Sequence, residues 1–261
     1  MSSAASPAVI TPDWPAPARV RAASTERRGG ASEGPYTSCN LATHVGDEAS
    51  AVAANRRALA AALGLATEPC WLEQIHGSTV LDLGQERGYT SSSERRRGVS
   101  PPTADGAVTS RPRQPCAVMT ADCLPVLFCD TSGTRVGVAH AGWRGLAAGV
   151  LPAAVARMGI EPRAMLVWLG PAIGQAAYEV GEEVRQALMH SVPGAETCFE
   201  PNAAGRWQAD LCGLARLSLQ GAGVNGIYGG GVCTYTESER FFSHRREAPC
   251  GRMATLIWLD P

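Results

Sequence analysis

The chain has 261 residues, of which 45% are hydrophobic and 18% are charged, so it can form a sizeable core and is not intrinsically disordered. Its formal net charge of −1 excludes the global positive field that attracts nucleic acid or anionic membranes, and it favours a small-molecule substrate. Every basic residue is Arg, which excludes mechanisms that depend on a Lys Schiff base or a P-loop Lys.

The sequence favours a reduced, cytoplasmic setting. The N-terminus lacks the basic and apolar regions of a secretory signal, and no segment has 18 uninterrupted apolar residues. Nine Cys residues occur without a CxxC pair, which favours free thiols over a disulfide framework. We expect a cytoplasmic protein without membrane or nucleic-acid partners, present as a monomer or small homo-oligomer.

The N-terminal part is predicted to contain a tail, one helix and one long loop. Residues 1–12 are interpreted as a loose tail, residues 13–261 as a single catalytic domain, and residues 86–103 as a surface loop or a mobile cover for a site. Asp47 is a suitable N-cap for a helix that runs to about Leu63 and ends at Gly64. Helical spacing turns Arg56 inward, either as a structural ion-pair member or as a guanidinium aimed into an active site.

Two β-rich runs, CLPVLFCD and TRVGVAH, flank a plausible tight turn and predict an antiparallel hairpin. If Thr131 and Ser132 occupy its centre, Cys123 stands opposite His140. Opposed residues project from one face with Cβ atoms about 5 Å apart, which is close enough for a thiolate and an imidazole to touch or share a metal.

The remaining pattern mixes helices with buried strands. The sequence predicts a helix ending near Met158, a strand in LVWLGPAIG, a helix in YEVGEEVRQAL, a strand edge or bulge in GIYGGGVCTYT and a final core strand. The three consecutive glycines have no following helix, so they do not indicate a dinucleotide-binding fold or a P-loop.

Three residues are the candidates for a metal site. His76, in QIHGSTV, suits a side chain presented at the end of a strand, and with Cys123 and His140 it would give three ligands and an open fourth position. The spacing matches no short metal motif, so the residues leave open a metal-free alternative in which Cys123 is the nucleophile and His140 its base. His190 is interpreted as structural.

The motifs resemble those of the YfiH-type family, which is called polyphenol oxidase or laccase-like, peptidoglycan editing factor, or purine nucleoside phosphorylase in different contexts. The resemblance extends from about Asp13 to the C-terminus. It is carried by TERRGGASEGPYTSCNLATHVGD, AVAANRRAL, WLEQIHGSTV, ADGAVTS, VMTADCLPVLFCD, VGVAHAGWRGLAAGV, GPAIGQAAYEVGEEV and CTYTESERFFSHRRE…GRMATLIWL.

The resemblance implies that His76, Cys123 and His140 are zinc ligands, with copper as a less favoured metal. It implies an α/β (α+β) sandwich of mixed β-sheets with flanking helices, distantly like Cys/His hydrolases of the cytotoxic necrotizing factor type. The chain departs from the family pattern at Cys39, where Leu is common, and at His244, where Tyr is frequent. The change at His244 would affect substrate contacts.

The resemblance further implies a zinc-dependent purine nucleoside phosphorylase acting on adenosine, inosine, guanosine or methylthioadenosine, with adenosine deaminase activity. Editing of muramyl peptides by a Cys or zinc amidase is the alternative, and a non-catalytic metal-binding protein is disfavoured because a fourth ligand is missing. Only five His are present, whereas a four-copper laccase needs on the order of ten. Candidates for contacts to nucleoside and phosphate are Arg56, Arg144, Arg245 and Asn40, with surface ion pairing as the alternative for each Arg.

Overall fold

A computed structural model describes residues 6–85 and 100–261, so residues 86–99 of the predicted loop or cover lie outside the described residues. The described strands are β1 (Val9–Ile10), β2 (Val20–Thr25), β3 (Val80–Asp82), β4 (Gly106–Thr109), β5 (Cys116–Thr120), β6 (Leu124–Asp130), β7 (Val136–Ala141), β8 (Met165–Leu169), β9 (Glu179–Val180), β10 (Phe199–Pro201), β11 (Trp207–Ala209), β12 (Gly226–Gly229) and β13 (Met253–Leu259).

The three predicted helices are present, whereas two further helices, Leu211–Gly221 and His244–Glu247, were not predicted. The predicted helix to Met158 is divided at Gly149, which has a φ of 83°. The described helices are α1 (Ala49–Ala62), α2 (Trp143–Ala147), α3 (Val150–Met158), α4 (Glu182–Ser191), α5 (Leu211–Gly221) and α6 (His244–Glu247).

The strands form three sheets of different size. A four-stranded antiparallel sheet has the order β1-β2-β13-β5, and a six-stranded mixed sheet has the order β12-β8-β6-β7-β4-β3. A small third sheet joins β10, β11 and β9. The glycine-rich run therefore supplies an edge strand, and the last strand lies inside its sheet, as the sequence predicts.

The two larger sheets pack face to face. Val118 and Ile257 of the four-stranded sheet share one fully buried apolar cluster with Leu127 and Val138 of the six-stranded sheet. Because side chains alternate across a strand, the neighbouring residues of each strand face away from this cluster. Each sheet thus has a second apolar face that must be covered.

Helices cover both outer faces. Phe128 of the six-stranded sheet packs in a cluster with Leu151 of α3 and Leu214 of α5. On the opposite side, Leu256 packs in a cluster with Leu59 of α1. The predicted sandwich with flanking helices is therefore confirmed, although only the six-stranded sheet is mixed.

The strands β6 and β7 form the predicted hairpin, but in a different register. The prediction set Cys123 opposite His140, with partner numbers that sum to 263. In the structure Pro125 pairs with His140, so the partner numbers sum to 265. The predicted register was wrong because the turn holds four residues, 131–134, rather than two.

The start of α1 also differs from the prediction. Asp47 is not the N-cap, because the helix begins after Glu48, which makes no side-chain capping bond. The Asp47 carboxylate instead accepts hydrogen bonds from the Ser32 hydroxyl and the Asn40 amide. The inward position of Arg56 is confirmed, since it is 7% exposed.

Three further predictions concern the N-terminal tail, His190 and membrane-spanning segments. Val9 and Ile10 pair with β2, which corrects the predicted loose tail over residues 1–12 at these two positions. His190 is exposed in the last turn of α4. Among the described helices, none has the length and apolar character needed to cross a membrane.

Candidate metal centre and its cavity

The side chains of His76, Cys123 and His140 meet at one end of the sheet sandwich. Their potential ligand atoms all lie within 4.8 Å of one another, and the Cys123 Sγ is 3.9 Å from the His76 Nε2. Within residues 6–85 and 100–261, this is the only group of three or more His, Cys, Asp or Glu with such spacing. The structure therefore brings together the three residues that were predicted as metal ligands.

Cys123 and His140 approach each other despite the corrected register. The shift is two residues, and side chains repeat every two residues along a strand, so both still project from the same face. That face is the one turned toward the four-stranded sheet, because Leu127 and Val138 occupy it further along the two strands. Continuing the pairing of the hairpin places Gly142 opposite Cys123.

Gly142 provides the space that the ligands occupy. A Cβ atom at this position would lie 2.8 Å from the Cys123 Sγ and 3.2 Å from the His76 Cδ2. The first distance is shorter than van der Waals contact allows, so any side chain at Gly142 would displace the thiol. The sequence predicted no role for this residue.

His76 lies in the loop before β3, which corrects its predicted position at the end of a strand. Its φ of 60° is in the left-handed region, which costs a residue with a Cβ about 1 kcal/mol or more. The Asp105 carboxylate offsets this cost. It accepts the backbone N–H of His76 at 2.9 Å and that of Gly77 at 2.6 Å, and the N–H of Ile75 at 3.3 Å.

The same carboxylate orients the second imidazole. The Asp105 Oδ1 lies 2.9 Å from the Nδ1 of His140, and the Asp105 carbonyl accepts the His140 backbone N–H at 2.7 Å. This contact occupies Nδ1 and leaves Nε2 for a metal or a proton. Asp105 is fully buried. Burial raises its pKa, but hydrogen bonds from His140 and Gly77 outweigh that effect and lower it.

Cys123 and His140 form a thiolate and imidazolium pair in the absence of a metal. Burial raises the pKa of the Cys123 thiol, but the charge and hydrogen bond of His140, with a smaller effect of His76, lower it to about 6. Burial lowers the pKa of His140, whereas the Cys123 thiolate and the Asp105 carboxylate together raise it to about 9. Both groups are therefore charged near neutral pH.

A cavity of about 320 Å³ opens above the three residues. This volume is in the range of small-molecule sites. Its described lining contains no Asp or Glu, although several groups that carry or can gain positive charge surround it. They are the guanidinium groups of Arg144 and Arg252 and the imidazoles of His44 and His244.

The predicted substrate-binding residues lie in different places. Arg144 lines the cavity, exposed, with its guanidinium 4.5 Å from the ring centroid of Trp143. Arg245 instead lines a second cavity of about 490 Å³ and donates a hydrogen bond to the Glu179 carbonyl at 2.8 Å. The backbone N–H of Arg245 donates to Asp122, the residue before Cys123.

Arg56 and Asn40 lie behind the described cavity lining. The Arg56 guanidinium lies 4.0 Å from the Trp71 ring centroid, and its Nε donates to the Leu41 carbonyl at 2.8 Å. Asn40 is fully buried, and its amide bonds both the N–H and the carbonyl of Ala42. Both side chains therefore brace the same loop rather than reach into the cavity.

Sequence reasoning missed four residues around the site. Asp105 and Gly142 lie within the segments ADGAVTS and AHAGW, but nothing in their spacing distinguishes them from structural residues. His44 and Arg252 lie in irregular segments, where periodicity gives no direction for a side chain. For His44, the isolated His in CNLATHVGD was the available signal.

Comparisons with known proteins agree with the family that the sequence motifs indicate. A family model described as multi-copper polyphenol oxidoreductase laccase matches residues 21–260. A protein of Escherichia coli strain K12 named purine nucleoside phosphorylase YfiH is 49% identical over 251 residues, which cover 96% of this chain and 98% of that protein. The chain belongs to the YfiH-type family.

Two further relatives of this YfiH-type protein have similar coverage. A protein of Pseudomonas aeruginosa, also named purine nucleoside phosphorylase, is 49% identical over 96% of this chain and 98% of its own length. The crystal structure of a Neisseria meningitidis protein is 48% identical with a TM-score of 0.88, over 97% of this chain and 99% of that one. The relation therefore extends over nearly the whole fold.

The donor set can hold a metal ion. One thiolate and two imidazoles are the ligand types that zinc prefers, and tetrahedral bonds of about 2.0–2.3 Å separate such ligands by about 3.5 Å. The 3.9 Å between Cys123 Sγ and His76 Nε2 is close to that separation. Three protein ligands leave one coordination position open for a substrate or water.

Replacing Asp105 by Asn should weaken zinc binding about 10- to 100-fold, because the amide cannot accept all four hydrogen bonds that hold His140 and the His76 loop. A competition titration with a chromophoric chelator measures this change. Asp130→Asn is the matched control, since Asp130 is a buried carboxylate that accepts backbone N–H groups at the other end of the hairpin. Equal zinc affinities in the two variants would contradict the assigned role of Asp105.

Zinc binding at pH 7.5 should release about one proton per chain from the Cys123 and His140 pair. At this pH His140 is below its pKa of about 9 and must lose a proton, whereas Cys123 is above its pKa of about 6 and is already a thiolate. As the pH falls below about 6, the thiol also keeps its proton and the release from the pair should approach two. Calorimetric titration in buffers of different ionisation enthalpy measures the number. If no proton is released at pH 7.5, His140 is not an imidazolium in the metal-free protein.

Proposed function

We propose that this protein is a zinc-dependent purine nucleoside phosphorylase. The observation that carries the proposal is the cavity itself, in which cationic side chains surround a three-ligand group with an open coordination position. Phosphorolysis needs a bound phosphate dianion and a second point of activation, and this cavity offers chemistry for both. Relatives named purine nucleoside phosphorylase at 49% identity support the assignment.

The proposed reaction joins phosphate to the ribose of the nucleoside. A phosphate oxygen forms a bond to C1′ as the bond between C1′ and N9 breaks, and the electron pair stays on the purine, which takes up a proton. The products are the free base and ribose 1-phosphate. Arg side chains suit the phosphate because the guanidinium fork matches its oxygens and keeps its charge at all physiological pH values.

Zinc held by His76, Cys123 and His140 would supply a Lewis acid that polarises an oxygen of the substrate or lowers the pKa of a bound water. Cys123 would then serve as a ligand rather than as a nucleophile, because a thiolate bound to metal is a poor free nucleophile. Asp105 would keep the His140 ring oriented, and Gly142 would keep the ligands close together. A cytoplasmic location would keep the thiol reduced.

The proposed substrates are adenosine, inosine, guanosine and methylthioadenosine, and we further propose hydrolytic deamination of adenosine. In deamination, water adds at C6 of the purine and ammonia leaves, so the same open coordination position would serve both reactions. Copper is the less favoured metal. Laccase chemistry is disfavoured, because five His are too few for the copper centres of that mechanism.

Metal-quantified protein incubated with adenosine should release adenine and ribose 1-phosphate only when phosphate is present. Cys123→Ala and His140→Ala should each lower both bound zinc and base release, whereas Cys212→Ala, a half-buried Cys distant in sequence, should change neither. Chromatography of adenine, inosine and ribose 1-phosphate, with metal analysis, measures these outcomes. Base release without any phosphate dependence would reject the phosphorylase.

One observation favours a second candidate, amide hydrolysis in the editing of muramyl peptides. Without metal, Cys123, His140 and Asp105 form a chain of thiolate, imidazolium and carboxylate, which is the arrangement of a Cys nucleophile with an oriented base. The predicted likeness to Cys/His hydrolases of the cytotoxic necrotizing factor type belongs with this candidate.

The editing candidate predicts cleavage of muramyl tripeptides that carry Ser or Gly in place of L-Ala. Cleavage should survive removal of zinc by a chelator if Cys123 attacks, and it should cease in Cys123→Ala. Mass spectrometry of the released peptides measures the reaction. Unchanged substrate at high enzyme concentration, with and without zinc, would rule out this activity.

A further inference from the structure

Arg252 lines the cavity directly before β13, and part of its guanidinium is anchored by hydrogen bonds. Its Nη1 donates to the Cys250 carbonyl at 2.8 Å and the Gly251 carbonyl at 3.1 Å. Its Nε and Nη2 donate no hydrogen bond to the described residues, and no carboxylate of that part of the chain forms an ion pair with it. The side chain is therefore oriented by the protein, and two of its donor atoms are available to a ligand.

His44 lines the same cavity and lies in the electrostatic field of Arg252. Burial, followed by the positive charges of Arg252 and Arg56, lowers the pKa of His44 below its ordinary value. The imidazole is exposed to the cavity, and no described side chain donates to it or accepts from it. A neutral imidazole beside a guanidinium adds one more N–H donor without adding repulsive charge.

Buried contacts join the segments that carry His44 and Arg252. The Asn40 Oδ1 accepts the backbone N–H of Arg252 at 2.9 Å and that of Ala42 at 3.0 Å. The carbonyl of Arg252 accepts the Leu41 N–H at 3.2 Å, and Arg56 Nε donates to the Leu41 carbonyl at 2.8 Å. These bonds fix the loop that leads to His44 against the start of β13.

The charges around this pair are unbalanced in favour of an anion. Arg252 carries a full positive charge in a concave site, and no described residue of the lining is an Asp or Glu. A cationic cleft without internal counterions attracts anionic ligands, and a preorganised guanidinium binds oxyanions with little loss of side-chain entropy. Arg144 lines the same cavity, but it is exposed and its guanidinium forms no hydrogen bond with the described residues.

We propose that Arg252 and His44 form the phosphate subsite of the cavity, with Asn40 and Arg56 as positioning residues beneath it. The assignment rests on the proposed phosphorolysis for its substrate, but the subsite itself is defined by oxyanion binding. Nη2 and Nε of Arg252 donate to two phosphate oxygens and His44 donates to one of them. Arg144 and Arg245 are not the primary phosphate ligands.

Arg252→Gln in the zinc-loaded protein should raise the phosphate KM about 10- to 100-fold, the loss expected when a charge-assisted bidentate contact is removed. The adenosine KM should stay within about 2-fold and the zinc content should not change. Calorimetric titration of inorganic phosphate, without adenosine, should show the same loss of affinity. Arg252→Lys should recover only part of it, because Lys keeps the charge but not the fork.

Arg163→Gln is the matched control, because it removes the same charge from an exposed position outside the described cavity lining. A folded, zinc-loaded Arg252→Gln protein with unchanged phosphate affinity would overturn the subsite, even if phosphorolysis occurs. Arg252-dependent phosphate binding without base release would instead reject the phosphorylase and retain the subsite. If Arg252→Gln and Arg163→Gln lose the same phosphate affinity, the loss is an effect of net charge. That result would also overturn the subsite.

Discussion

The candidate metal centre depends on the buried carboxylate of Asp105. Its oxygens accept hydrogen bonds from three consecutive backbone N–H groups of the His76 loop and from the His140 ring. A buried carboxylate is costly unless such donors compensate for lost hydration. Here they come from two separate segments, so the carboxylate is stabilised only when the loop and the hairpin are both in place. Folding of this part of the sandwich therefore also assembles the ligands.

The sequence predicted the centre unevenly, for physical reasons. The hairpin pattern placed Cys123 and His140 on one face, and that result survived a wrong register because the error was two residues rather than one. No comparable pattern exists for His76, which adopts a left-handed conformation in an irregular loop. Its assignment came from the family resemblance. Asp105 acts through backbone contacts, which leave no periodic signal in a sequence.

For the basic residues, the sequence likewise predicted some features and not others. Helical spacing correctly turned Arg56 inward, since amphipathic periodicity reports which face of a helix is buried. It does not report what a buried guanidinium meets, and in the structure that partner is a loop carbonyl and the Trp71 ring. Asn40 likewise binds backbone groups of the same loop. The cations that reach the cavity come partly from irregular segments, whose side-chain directions are set by tertiary contacts.

Gly142 shows that this centre is limited by volume as well as by chemistry. It offers no donor atom and no charge, yet the thiol of Cys123 occupies the space in which its side chain would stand. The position of the thiol thus depends on a missing methyl group directly after β7. A chain with Ala at this position would keep every reactive residue, yet its methyl group would clash with the thiol of Cys123. The site therefore requires the space left by Gly142 as much as it requires the three ligands.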